Sequence, residues 1–234
     1  MRRLAIIALL VACNRDPGEI EEGVGYRDPT DDGASSGERG TVKISEVLWS
    51  GSVDDDGKWD PADVFVELRN ESNRPLDLTD WRLVLDGTEQ VTWRIPDLDR
   101  EVLVGEHIFL AAKTSGCFPD ADGVLSGLAF PYDDPFTLTL RDSDERLIEG
   151  MGAKDEPPFA GGYDLVRSRS MERVQLIFGG DGGSPESWHF YTPAEVDVPN
   201  DDRIGDGCRD NTLASPGRPN SPDYSGAYAS GSFE

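Results

Sequence analysis

Between residues 41 and 220, apolar and polar side chains alternate at period two in short bursts separated by turn residues. The run Val42-Lys43-Ile44-Ser45-Glu46-Val47-Leu48 opens the series, and Val64 to Leu68 follows as Val-Phe-Val-Glu-Leu. Alternation puts Trp81, Leu83 and Leu85 on one face of a strand and Trp93 and Ile95 on one face of the next. It also sets Phe136, Leu138 and Leu140 opposite Thr137 and Thr139. Further strands are predicted at His107 to Ala111, Arg146 to Glu149, Tyr163 to Arg167, Arg173 to Phe178 and Trp188 to Tyr191. Asn73-Arg74-Pro75, Asp86-Gly87 and Gly179-Gly180-Asp181-Gly182-Gly183 supply turns. No stretch of ten residues or more carries the spacing of an amphipathic helix. Many short strands with frequent turns predict an all-β antiparallel sandwich or barrel. In that frame Trp81 is a core residue, and Asn70 ends a strand and caps a turn with its side chain. Pro96 ends the Trp93 strand because it donates no ladder hydrogen bond. Glu67 lies opposite Val66 and Leu68 and is expected to be solvated.

The two ends break the pattern. Arg2 and Arg3 precede an unbroken apolar run, Leu4 to Ala12, too short to span a bilayer as a helix and suited to the h-region of a signal peptide. Leu10-Val11-Ala12-Cys13 resembles the lipobox of bacterial lipoproteins. That resemblance implies removal of residues 1–12 and lipidation of Cys13, with anchoring by two or three acyl chains. Asn14 after the cysteine favours the outer membrane or cell surface, by analogy with the sorting rule of such proteins. The segment that follows Cys13, to residue 40, is rich in Asp, Glu, Gly, Ser and Pro and nearly lacks large apolar residues, so it reads as a flexible acidic linker. Residues 221–234 are small and polar and read as a disordered tail. The expected organisation is therefore a signal peptide (1–12), a lipidated Cys13 with its linker (13–40), one domain (41–220) and a tail (221–234).

The domain's motifs resemble the lamin tail domain family. The resemblance rests on Asp63-Val-Phe-Val-Glu-Leu-Arg-Asn70, Leu76-Asp-Leu-Thr-Asp-Trp-Arg-Leu83, Thr92-Trp-Arg-Ile-Pro96 and Leu103-Val-Gly-Glu106, then Leu138-Thr-Leu-Arg-Asp142. Arg169-Ser-Met-Glu-Arg173, Ser187-Trp188 and Ser215-Pro-Gly-Arg-Pro-Asn220 resemble the closing elements of bacterial members. The signature residues are Glu67, Asn70, Trp81, Pro96, Trp188, Pro216 and Gly217. Asp80 stands where the family often has Gly, and Ser215 where it often has Thr. The resemblance implies an immunoglobulin-like β-sandwich over residues 41–220.

Charge narrows the partners. The formal net charge is −24, and removal of Arg2 and Arg3 with residues 1–12 leaves about 20 basic groups against 46 acidic ones, near −26. A field of that sign repels nucleic acid and favours solubility, divalent cations and basic partners.

Candidate chemistry is sparse. With Cys13 assigned to lipid, Cys117 and Cys208 are an even pair in an exported chain, and a disulfide is expected; the alternative is two free thiols. Asp54, Asp55, Asp56, Asp60 and Asp63 gather carboxylates within ten residues, a loop that suits weak Ca²⁺ binding or simple solvation. Asp197, Asp201, Asp202, Asp206 and Asp210 form a weaker second cluster. The two histidines, His107 and His189, sit in or beside apolar strands. No nucleophile elbow, P-loop, dinucleotide fingerprint or zincin motif is present, so no catalytic residue and no cofactor other than Ca²⁺ is expected. Trp49, Trp59, Phe130 and Tyr132 lie in or beside loops and form either a binding face or loop anchors. The pattern points to a non-catalytic envelope protein that binds protein, adheres or scaffolds. The alternatives are a Ca²⁺- or glycan-binding surface protein and a carboxylate-based hydrolase.

Overall fold

The computed structural model describes residues 38–132, 134–174, 182–192 and 203–222, all within one unit spanning 33–234. Cys13, residues 1–12 and 14–37, the stretch 175–181 and residues 223–234 lie outside the described residues. Fifteen strands follow one another: β1 Val42–Leu48, β2 Ser52–Val53, β3 Trp59–Asp60, β4 Phe65–Asn70, β5 Arg82–Asp86, β6 Gln90–Arg94, β7 His107–Ala111, β8 Gly123–Val124, β9 Thr137–Arg141, β10 Leu147–Met151, β11 Gly162–Tyr163, β12 Ser168–Arg169, β13 Met171–Arg173, β14 Trp188–Phe190 and β15 Thr212–Leu213. The only helix among the described residues is a 3₁₀ turn, Pro185–Ser187, and none is long and apolar enough to cross a membrane.

The protein is all-β. A six-stranded sheet, β14-β13-β1-β4-β7-β8, packs against a four-stranded sheet, β10-β9-β5-β6. Pairing is antiparallel throughout both sheets except between β7 and β8. The inner faces share one core. Val42, Ile44, Val47, Val66, Leu68, Ile108 and Leu110 from the larger sheet meet Leu83, Leu85, Trp93, Leu138, Leu140 and Ile148 from the smaller, with Trp81 fully buried between them. Alternation alone would send Ile44 and Val47 to opposite faces. The register of β1 against β4 shifts between Ile44 and Glu46, and this bulge returns Val47 to the core and turns Glu46 outward.

The outer face of the larger sheet is covered too, which departs from a sandwich with one wet face per sheet. Leu48, Phe65, Phe109 and Ala111 on that face pack against Cys117, Phe118, Ile204, Cys208 and Ala214. A disulfide joins Cys117 to Cys208 across 91 residues and ties the C-terminal segment onto this second core. Phe65, Phe109 and Phe118 meet edge to face at its centre.

Asn70 behaves as read, and Asp142 and Asp80 hold turns of their own. Asn70 ends β4, donates to the carbonyls of Arg74 and Val102 and accepts from Ser72 N–H. Asp142 is fully buried after β9 and accepts from the Asp144 and Arg146 amides. Asp80 has φ +64°, a left-handed backbone that favours Gly and tolerates Asp. Three expectations need correction. Of the strand expected at Tyr163 to Arg167, only Tyr163 is extended, in β11; residues 164–167 are the hairpin turn, where Leu165 takes φ +75°. The ordered domain extends past both expected borders, since Gly40 N–H bonds the Ile148 carbonyl and Ser221 bonds Glu172. Glu67 is fully buried and not solvated, because Gly217 and its neighbours lie over it.

Candidate functional site

The outer face of the larger sheet carries a row of ionisable residues in register. His189 on β14 opposes Glu172 on β13, Glu172 opposes Glu46 on β1, and Glu46 opposes Glu67 on β4. Phe109 on β7 closes the row beside Glu67. All three glutamates have zero exposure, because residues 214–222 fold over them. Glu67 accepts from Ser45 Oγ at 2.5 Å and Gly217 N–H at 2.6 Å, and lies 2.7 Å from His107 Nδ1. Glu46 accepts from the Ser215 amide at 2.8 Å. Ser215 Oγ lies 3.2 Å from Glu46 Oε2 and 2.5 Å from Glu172 Oε1. Glu172 also accepts from the Ser221 amide and hydroxyl. Asn220 completes the strap by donating to the carbonyls of Ser45 and Arg173.

Burial pushes the Glu46 carboxyl well above the usual range, and the neighbouring charges of Glu172 and then Glu67 push it further. Burial also raises Glu172, against the hydrogen bonds from Ser215 and Ser221 and the nearby His189. Ser215 Oγ is within donating distance of both Glu46 and Glu172, the shorter contact being to Glu172. The arrangement is a latch that fastens the C-terminal strap to the sheet. Its carboxyls are spent on the chain's own groups and face no open cleft.

The acidic loop does not converge on one point. Asp54 Oδ1 accepts from Lys58 N–H and closes its own turn, and Asp55 Oδ1 accepts from Asp210 N–H. Asp56 is exposed. Asp60 pairs with Lys113 at 2.5 Å; partial burial acts to raise it, and the Lys113 hydrogen bond and charge hold it below its usual range. Asp63 is buried and pins the disulfide loop by accepting from Ser52 Oγ and the Cys117 amide, and burial raises its carboxyl. Of the second cluster, Asp206 pairs with Arg209, and Asp197, Asp201 and Asp202 lie outside the described residues. Among the described residues no group of three or more His, Cys, Asp or Glu side chains is placed to hold a metal ion. Of the two readings of this loop, weak Ca²⁺ binding or simple solvation, local turn capping and ion pairing accord with the second.

Three of the four loop aromatics do gather. Trp59 stacks on Tyr163 with centroids 5.0 Å apart and planes 7° from parallel. Tyr132 packs on Trp59 at 5.6 Å and on Trp49 at 5.8 Å. The indoles are fixed by donating to the Ala160 and Ser50 carbonyls, so the rings are held rigidly while Tyr132 keeps 42% exposure. Phe130 is the exception and packs inward on Phe136. Tyr163 begins a hairpin whose apex is Leu165 and Val166, with Asp164 Oδ1 accepting from the Val166 and Arg167 amides. Leu165 occupies the first central position of this turn, where a positive φ suits Gly and costs a branched side chain about 1 kcal/mol or more.

Among the signature residues, Trp81 is core, Trp188 Nε1 donates to the Gly182 carbonyl, and Gly217 has φ +79° with no room for a Cβ beside Arg203. Pro96 follows β6, and Pro216 lies in the strap between Ser215 and Gly217. The sequence reading missed the carboxylate latch. The available signal was Phe65, two residues before Glu67 and on the same face of β4: a phenylalanine there marks that face as covered. No protein-family model matches the chain, and no curated protein is significantly similar to it.

Proposed function

We propose that the chain is a non-catalytic, lipid-anchored envelope protein whose lamin-tail-like sandwich presents its aromatic end as a contact surface for binding, adhesion or scaffolding. The observation that carries this reading is the fixed cluster of Trp49, Trp59, Tyr132 and Tyr163 beside an exposed apolar hairpin tip. Rigid aromatic rings give contact area at low entropic cost, and Trp and Tyr dominate binding hot spots. Support for the family reading comes from the sandwich itself, from the left-handed Asp80 where the family often has Gly, and from Asn70 and Asp142 acting as turn caps. The anchor rests on the sequence around Cys13. The hydrolase alternative is set aside because its best carboxyls are buried beneath residues 214–222 and bonded to them. A glycan partner remains the second reading, since the Trp59–Tyr163 pair is a stacking platform.

Two measurements test the proposal. Mass spectrometry of the protein from bacterial envelopes is expected to find Cys13 acylated at the new N-terminus, and an intact Met1 with a free Cys13 thiol counts against the anchor. Purified protein carrying Cys13→Ser is expected to be retained on isolated envelopes, and Trp59→Ala is expected to lower that retention about tenfold. Equal retention of the two proteins refutes the aromatic end as the contact surface.

A further inference from the structure

We propose that the hairpin from Tyr163 to Arg169 dips its tip into a phospholipid surface, seating Leu165 and Val166 among acyl carbons with the Trp59, Tyr132 and Tyr163 rings at headgroup depth. This deepens the reading of the aromatic end as a contact surface and rests on it.

The hairpin tip is apolar and bare. Leu165 is 82% exposed and Val166 63%, two adjacent aliphatic side chains at the apex of a turn. Leu165 is buried over less than a fifth of its surface and holds a backbone conformation suited to glycine. Both features disfavour leucine in the folded chain alone, so the favourable term has to come from something the tip touches. The shape selects the occupant. A convex apex of two residues offers no groove to a peptide, and a protein partner would have to supply a matching cleft. A bilayer supplies acyl carbon at any lateral position.

The surroundings match the layers of a membrane interface. Behind the apex lie Tyr163, Trp59 and Tyr132, the residue types enriched at headgroup depth because each carries an apolar body and a polar end. Arg167 and Arg169 flank the tip in a chain of net charge −24, and their charges also stabilise the Asp164 carboxylate beside Leu165. Guanidinium groups at that height complement lipid phosphate, while the acidic body is repelled from an anionic surface and so favours a tip-down approach. Residues 14–37 number 24, so with Cys13 as the proposed anchor the domain lies no farther than about 80 Å from the bilayer by covalent geometry alone. A second membrane contact at the hairpin tip, added to the proposed lipid anchor, then fixes the domain's orientation where the anchor alone would leave it free to tumble.

The test uses the full chain with Cys13→Ser, so that no lipid is attached, and protein-free vesicles. One vesicle set is phosphatidylcholine alone and the other contains phosphatidylglycerol, each with brominated acyl chains. Brominated lipid is expected to quench tryptophan emission from the wild-type domain with both compositions. Leu165→Gly is expected to weaken the vesicle titration about tenfold, and Val166→Ser similarly. Leu165→Gly removes the strained conformation, so an unchanged or raised melting temperature separates loss of binding from loss of folding. Arg167→Ala is expected to weaken only the titration with phosphatidylglycerol. Absence of quenching in the wild type, or equal titrations for wild type and Leu165→Gly, overturns the proposal. So does a dimer that Leu165→Gly dissociates while vesicle binding is unchanged, since the tip would then cover a second copy. Envelope retention that depends on Trp59 without vesicle binding sinks the lipid proposal and leaves the contact-surface reading standing; loss of both sinks both.

Discussion

Replacing Glu46 with Gln tests the carboxylate latch at its centre. Glu46 has no solvent exposure and lies in register between Glu172 and Glu67. Burial and the two neighbouring charges hold its folded proton affinity above that of the unfolded chain, whose ordinary glutamate value is 4.5. The sign follows from linkage. The stability that Glu46 contributes is fully present below 4.5 and is lost as pH rises from there through the folded value, because unfolding releases a proton the fold retains. Each pH unit inside that window costs about 1.4 kcal/mol per retained proton. Glu172, also raised by burial, acts in the same direction. The glutamine side chain keeps an acceptor for the Ser215 amide and gains an N–H for Ser215 Oγ, so the strap's hydrogen bonds survive. Glu46→Gln is therefore expected to unfold in urea with a pH slope that becomes shallower above pH 4.5, by up to about 1.4 kcal/mol per unit once the unfolded glutamate is ionised, and to be more stable than wild type at neutral pH. The measurement stays above pH 4, because Asp60 and Asp164, held below their usual range, lose stability as pH falls through their folded values. Parallel slopes for the two proteins would refute a protonated Glu46.

Two further predictions probe how the strap and the second core are held. Cys208→Ser opens the 91-residue bridge, and the chain-entropy estimate of about 4.6 kcal/mol corresponds to a melting temperature lower by roughly 10–18 °C; a fall under about 3 °C in calorimetry would contradict the role given to the bridge. Gly217→Ala places a Cβ within 2.8 Å of Arg203 Cδ at φ +79° and distorts the amide that bonds Glu67, so a loss of about 1–3 kcal/mol is expected in urea unfolding, and an unchanged midpoint argues against the strap's geometry.

Local rules read well where one face of one strand decides the outcome. β1 spans Val42–Leu48, the run that opens the series, Trp81, Leu83 and Leu85 are all buried, and Cys117 pairs with Cys208. They fail where distant chain covers a strand. Glu67 alternates with Val66 and Leu68 and so reads as solvated, yet Gly217, 150 residues later, donates to it from above. Nothing in the period of β4 encodes that strap. The β1 bulge is a second failure of the same kind, since its register shift is decided by pairing with β4 and not by residues 42–48 alone. At the hairpin the alternation of Tyr163, Leu165 and Arg167 imitates a strand. The turn forms because Asp164 captures two successive amides. In the acidic loop, Asp54, Asp60 and Asp63 each cap or pair locally, so closeness in sequence does not become closeness around one ion.

The contact surface is tested most directly by hydroxyl-radical footprinting of the protein on intact envelopes against the same protein released in detergent. Oxidation of Trp59, Tyr132, Tyr163 and Leu165 is expected to fall severalfold on envelopes, while Leu103, exposed near the far end of β4, is labelled equally in both. Equal labelling of the hairpin and its rings in the two states, or protection at Leu103 instead, would contradict a contact surface at the aromatic end.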